Sequence, residues 1–207
     1  MARPQKFDRF QVLKNSALVF WHQGYQKTSM KDLESATGLL PSSLYNSFGN
    51  KEALFLEVLD FYTDNILGGR IEKYLHQEDA LKGLQEFFIT CFTDLPRGKK
   101  GMACLIVNSI SEMAIHNEAI RKKLYRVEKT LKSNFISNLN KAKQVGSIAK
   151  SIDSEIIANQ LLISLNGLLV ASKVVKDNDK MVAACEQSLQ FILGNTSGNG
   201  SDNANEH

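Results

Sequence analysis

The residues of this chain best suited to touch a charged or hydrogen-bonding partner are Ser42, Ser43, Tyr45 and Asn46. Serine hydroxyls and a phenol reach phosphate oxygens, and an asparagine amide pairs bidentately with an adenine edge. All four fall between Pro41 and Ser47, a stretch long enough for two helical turns, and Thr28, Ser29 and Lys51 flank it. A helix that enters a nucleic-acid groove needs such small or hydrogen-bonding groups in its first turns. The same pattern fits a small polar surface helix with no partner, and Tyr45 also fits a half-buried packing residue.

Covalent and metal chemistry find less support. The chain has no Gly-rich phosphate loop, no Ser/His/Asp arrangement on suitable turns and no carboxylate pair with a metal-ligand rhythm. Cys91, Cys104 and Cys185 show no C-x-x-C spacing, and His22, His76, His116 and His207 are scattered. Neither a structural metal nor a disulfide framework is expected from that spacing, and no cofactor is called for. The expectation is a binding protein without catalytic residues.

Residues 1–51 carry seven basic side chains, Arg3, Lys6, Arg9, Lys14, Lys27, Lys31 and Lys51, against three acidic ones, whereas the rest of the chain is nearly balanced. A basic head on a neutral body suits phosphate binding. With 43% hydrophobic and 23% charged residues the composition is that of a globular protein, not a disordered one. Met1–Arg9 is polar and lacks the apolar centre of a signal peptide, and no apolar run approaches the ~20 residues that span a bilayer. These readings predict a soluble, cytoplasmic protein without a membrane partner.

The elements that must position the candidate residues are helical nearly throughout, because apolar residues recur at three- and four-residue steps and no run alternates with period two. Phe10, Leu13, Ala17 and Phe20 form the face of a first helix, for which Gly24 offers a left-handed cap. Ser29 with Asp32 is a capping-box-like pair opening a second, which Gly38 stops. Pro41 suits the first position of a third. Asn50 caps a fourth, with Gly68-Gly69 near its end or in a bend. Leu84 to Leu95 form a fifth, closed by Pro96-Arg97-Gly98, and Met102–Met113 a buried sixth. A long seventh runs through Ile120 to Leu139 and ends at Gly146. Asp153 caps an eighth, and a ninth follows the Asp177-Asn178-Asp179 turn. The Asn/Ser/Gly-rich stretch 195–207 is expected to be a disordered tail. The fold expected is all-α with about nine helices, divided into residues 1–50, 51–194 and the tail.

Two short helices joined by a Gly-containing turn, here Ser29–Thr37 and Pro41–Ser47, have the geometry of a helix-turn-helix. The stretch Gly24-Tyr25 … Thr28-Ser29-Met30 … Leu33 … Ala36 … Gly38 … Ser43-Leu44-Tyr45 … Phe48-Gly49-Asn50-Lys51-Glu52-Ala53-Leu54 resembles the DNA-binding signature of the tetracycline-repressor (TetR) family. The resemblance covers roughly Phe10 to Val58. It implies an N-terminal three-helix DNA-binding domain, a C-terminal ligand-binding and dimerisation bundle, and repression of a double-stranded DNA operator relieved by a small-molecule effector. It implies further that Thr28, Ser43, Tyr45 and Lys51 contact phosphates, that Ser42 and Asn46 face base edges, and that Ser29 caps a helix and also touches phosphate. Leu40 and Pro41 depart from the usual polar residues of the signature, which suggests an operator sequence of its own.

In the C-terminal half, the eighth and ninth helices offer surplus apolar surface for a homodimer in Ile156, Ile157, Leu161, Leu165, Leu168 and Leu169, some of which serve the monomer core. An apolar pocket between helices finds candidate liners in Phe88, Phe92, Cys104, Asn108, Tyr125 and Asn166, with Phe87 and Met113 beside them; about half are expected to be ordinary core. The run Gly101 to Ser109 resembles the sixth-helix segment of a TetR subgroup, some of whose members respond to electrophiles or oxidants through its cysteine. Lys99, Lys100 and the start of a helix would lower the Cys104 thiol pKa; a small buried hydrophobe is the alternative. A helical protein-interaction adaptor and a transcriptional activator remain open as other functions.

Overall fold

The computed structural model describes residues 7–94 and 104–194. Among these residues the chain is helical, with nine helices when the run from Lys51 to Leu75 is taken as one. Leu95 to Ala103, with the Pro96-Arg97-Gly98 stop, Lys99 and Lys100, and the stretch 195–207 lie outside the described residues.

The first three helices form a small unit. Asp8 caps α1 (Arg9–Gln23) by accepting from the Phe10 and Gln11 amides. Ser29 and Asp32 form a complete capping box on α2 (Met30–Thr37), whose last turn Gly38 closes in the left-handed conformation at φ 71°, ψ 7°. Pro41 opens α3 (Pro41–Phe48) behind Leu40, which supplies no side-chain cap. Val12, Ala17, Phe20, Leu33, Leu44 and Phe48 are buried between the three. Gly24 differs from the expected left-handed cap: its φ is positive at 80°, but ψ is 169°. The chain is thereby extended, and the next two amides point away from α1 instead of closing onto it.

Asn50 caps α4 (Lys51–Tyr62) through the Ala53 amide. The helix does not end or bend at Gly68-Gly69. It continues through two wider, π-helical turns, Thr63–Leu67 and Ile71–Leu75, with Gly68–Arg70 between them. Such turns insert an extra residue and rotate the side chains that follow, often beside functional sites.

The remaining helices build the body. Asp79 caps α5 (Ala80–Thr93), α6 covers Leu105–Met113, Asn117 caps α7 (Glu118–Gln144), Asp153 caps α8 (Ser154–Val175), and α9 spans Asn178–Gly194. Phe87 and Phe88 on α5 meet Phe135 on α7, with ring centroids 5.9 and 5.7 Å apart, in the middle of the core. On α8, Leu161, Leu165 and Leu169 are buried, while Ile156, Ile163, Val170 and Val174 are exposed, as is Phe191 of α9. By length and composition α8 is also long and apolar enough to cross a bilayer, although polar residues interrupt it.

α4 and α5 approach closely at Gly83, where an added Cβ would lie 2.2 Å from the backbone oxygen of Tyr74. That oxygen cannot rotate away. Gly83→Ala is therefore expected to lower stability by about 1–3 kcal/mol. Gly69→Ala, with open space around it, is expected to raise stability by roughly 0.5–1 kcal/mol. Urea unfolding of both variants checks the pair, and an unaffected Gly83→Ala midpoint would contradict the packing described.

Candidate nucleic-acid interface and internal cavity

On α3, Ser42, Tyr45 and Asn46 are exposed, the latter two lying three and four residues after Ser42 and so on its face of the helix. Ser43 is half-buried beside them, while Leu44 and Phe48 on the opposite side hold the helix to α1 and α2. The helix contains no acidic residue. The exposed stripe is thus neutral, rich in hydrogen-bonding groups and anchored from behind. Tyr45 is 46% exposed, which argues against a packing role.

The flanking residues are arranged differently from one another. Ser29 is exposed, but its hydroxyl donates to the Asp32 carboxylate at 2.6 Å and accepts from the Asp32 amide at 3.2 Å, so its hydrogen bonding is committed to the cap. The bonds that the Ser29 hydroxyl and the Ser29 amide donate to the Asp32 carboxylate hold that carboxyl below its ordinary pKa. Thr28 and Lys51, expected at phosphates, are turned inward. Thr28 is buried, and its hydroxyl donates to the Gly24 oxygen at 2.6 Å. The Lys51 ammonium donates to the Tyr25 and Thr28 oxygens, both at 2.9 Å, and sits 4.3 Å from the centre of the Tyr25 ring. Both side chains satisfy backbone groups of the Gly24–Thr28 turn, which the sequence alone did not show to need partners. Lys27 and Lys31, by contrast, are exposed on either side of Ser29. They were not singled out individually, although they contribute to the basic excess of residues 1–51.

Beneath this unit, helices α4 to α8 line a partly open cavity of about 370 Å³. Of the six candidate liners, Cys104 and Asn166 face it, together with Trp21, Tyr62, Arg70 and Phe87. Phe88 and Phe92 are fully packed core and do not line it. Asn108 lies in a separate cleft with Glu112, and Tyr125 is 67% exposed on the outer side of α7. Met113 is core and accepts from the Gln26 amide group.

The charged residues of the cavity wall are Arg70, Lys73, Asp94 and Glu128. Arg70 donates to the Phe87 and Thr90 oxygens and the Thr90 hydroxyl at 2.8–3.1 Å, closing the end of α5. Glu128 accepts from the Asn166 side chain at 3.0 Å, and burial raises its carboxyl pKa. Of the two readings of Cys104, a lowered thiol and a small buried hydrophobe, the second is favoured. Burial pushes the thiol up, outweighing the opposing effects of the Tyr62 hydroxyl and the amides at the start of α6. Among the described residues no group of three or more His, Cys, Asp or Glu side chains could hold a metal.

Two outcomes follow from these positions. Lys51→Met leaves two carbonyls without their donor and is expected to cost about 1–3 kcal/mol in urea unfolding; a phosphate contact on the surface would leave stability unchanged. A thiol raised above the ordinary 9.0 has little thiolate at pH 7.5. Alkylation of Cys104 by iodoacetamide should therefore be slower there than that of a free cysteine and should accelerate only above pH ~9.

The chain matches the N-terminal profile of the bacterial regulatory proteins of the tetR family over residues 12–58. It matches the tetracyclin repressor-like C-terminal domain over residues 80–188, more than half of its length. It is 28% identical to the HTH-type transcriptional regulator YezE of Bacillus subtilis, with 93% of this chain and 100% of the relative covered. It is 27% identical to the HTH-type transcriptional repressor ComR of Escherichia coli, with 91% and 90% covered. A solved structure of the TetR-family regulator CifR, a cysteine-substituted form complexed with 26 bp of double-stranded operator DNA, superposes with a TM-score of 0.81. The two are 28% identical, and 91% of this chain and 98% of that one are covered. With one family profile matched over residues 12–58 and the other over residues 80–188, the chain belongs to the TetR family of transcriptional regulators.

Proposed function

We propose that this protein is a homodimeric repressor that holds a palindromic double-stranded DNA operator through α3 and releases it when a small molecule enters the cavity. The observation that carries this reading is the exposed stripe of Ser42, Tyr45 and Asn46, on a helix without acidic residues that is anchored through Leu44 and Phe48. Ser43 and Tyr45, with the exposed Lys27 and Lys31, are assigned to phosphates, and Ser42 and Asn46 to base edges. Ser29 serves as a cap at the edge of the contact. Residues 1–50 form the DNA-binding head and 51–194 the regulatory body. On this reading the protein works in the cytoplasm, where its operator is.

A short recognition helix reads few bases, so two copies must bind together with half-sites about 34–36 Å apart, or a multiple of that. The outward Ile156, Ile163 and Val170 recur every seventh residue along α8, and with Phe191 they supply an apolar surface for a partner helix pair. Asn166, Arg70 and Glu128 give the cavity polar anchors among apolar walls, the usual design of a small-molecule site. The raised Cys104 thiol favours reversible binding over capture of an electrophile.

Selection of bound duplexes from a random pool, followed by titration of the winner at two salt concentrations, tests the reading. A palindromic winner is expected, bound at least ~10³-fold more tightly than random duplex. Tyr45→Ala should weaken binding and flatten the salt slope by about one unit. No enrichment by a properly folded dimer would overturn the assignment.

A further inference from the structure

The turn between α1 and α2 is held by a side chain from the far half of the chain. Glu112, in the last turn of α6, accepts from the Tyr25 amide through Oε2 at 3.0 Å and from the Gln26 amide through Oε1 at 2.6 Å. The opposite end of the same helix walls the cavity with Cys104, Ile106 and Val107. At 1.5 Å per residue the two ends are about 12 Å apart on one rigid rod.

The turn has little slack. Besides the two amides on Glu112, the Gly24 oxygen accepts from Thr28 and the Gly24 amide donates to the Phe20 oxygen. The Tyr25 and Thr28 oxygens are held by Lys51. The Tyr25 ring lies 6.1 Å from Phe20 and 4.9 Å from Phe55. Gly24 leaves room for the carboxylate: a Cβ there would stand 2.7 Å from Glu112 Oε2. The turn leads directly into the Ser29 cap and so sets where α2 and α3 lie.

We propose that Glu112 is the coupling residue between the cavity and the DNA-binding head: a shift of α6 is passed through its carboxylate to the Gly24–Thr28 turn. This rests on the reading that the cavity holds the effector and that α3 holds DNA. Glu112 is a positioning residue that touches neither. Charge-assisted bonds to two consecutive amides are stronger than neutral ones and carry a displacement across a contact that also holds the weaker hydrogen bond from the Gln26 side chain to the Met113 sulfur. Coupling of this kind is reciprocal, so what loosens the turn must be felt at the cavity end, and DNA bound at the head must be felt there too.

Residue-resolved amide hydrogen exchange on the full-length dimer tests this. In the free protein, Glu112→Gln should speed exchange at Tyr25 and Gln26 by about tenfold. It should also speed exchange of the Asn108 amide, which donates to the Cys104 oxygen at the cavity end of α6. A change confined to the turn would make Glu112 a local brace and overturn the coupling, as would no change at either place. With a saturating selected duplex, the wild type should change its exchange at Asn108 and Glu112→Gln should not; equal responses, or none in the wild type, also overturn it. Should Glu112→Gln fail to fold, Glu112→Asp keeps the charge, shortens the reach and is judged by the same comparisons. The free-protein arm needs no duplex, so its result stands whether or not selection yields an operator.

Discussion

The DNA-binding head is oriented by a five-residue turn, Gly24–Thr28, in which the Gly24, Tyr25 and Gln26 amides and the Gly24, Tyr25 and Thr28 oxygens are all hydrogen-bonded. Lys51 takes two of its carbonyls, Glu112 two of its amides, and Thr28 closes it on Gly24. An unpaired backbone group in a half-buried position costs about as much as a lost hydrogen bond. The turn therefore has one favourable shape, and α2 and α3 inherit it. Gly24 makes that shape accessible, because its positive φ and its missing Cβ are both required, the first by the chain's direction and the second by the carboxylate beside it.

From the same turn, two helices lead into the body. α4 starts with Lys51 at the turn and reaches the cavity with Tyr62, Arg70 and Tyr74; α6 starts at the cavity and ends at the turn with Glu112. The π-helical turns of α4 fall where it passes the cavity. Arg70 there reaches the Phe87 and Thr90 oxygens of α5, so two helices of the cavity wall are pinned to each other. The cavity is consequently bounded by elements that each touch something else of functional weight, and α8 adds the outward apolar face on its other side.

The sequence disclosed most of this architecture and part of the site. Helical period, the Ser29/Asp32 box, the Asn50 and Asp153 caps and the Gly38 stop are local features, set by residues within one turn of each other, and they appear as read. So does the exposed face of α3. The inward turn of Thr28 and Lys51 was not legible, because it depends on carbonyls that only the folded turn presents. The role of Glu112 was hidden for the same reason: its partners lie 86 and 87 residues away. Aromatic liners were misassigned in part because a phenylalanine at helical spacing looks the same whether it faces a cavity or, like Phe88 and Phe92, the core. Local charge suggested a lowered Cys104 thiol, but burial, a tertiary property, decides its direction.

The central claim is that α3 holds DNA through the stripe of Ser42, Ser43, Tyr45 and Asn46. Phosphate-ethylation interference on a selected operator tests it most directly. Two clusters of interfering phosphates are expected, about one helical turn apart or a multiple of that, with part of each cluster lost when Tyr45→Ala replaces the wild type. Interference that is absent, or that is unchanged by Tyr45→Ala and by a matching change at Ser43, would mean that DNA is held by another surface.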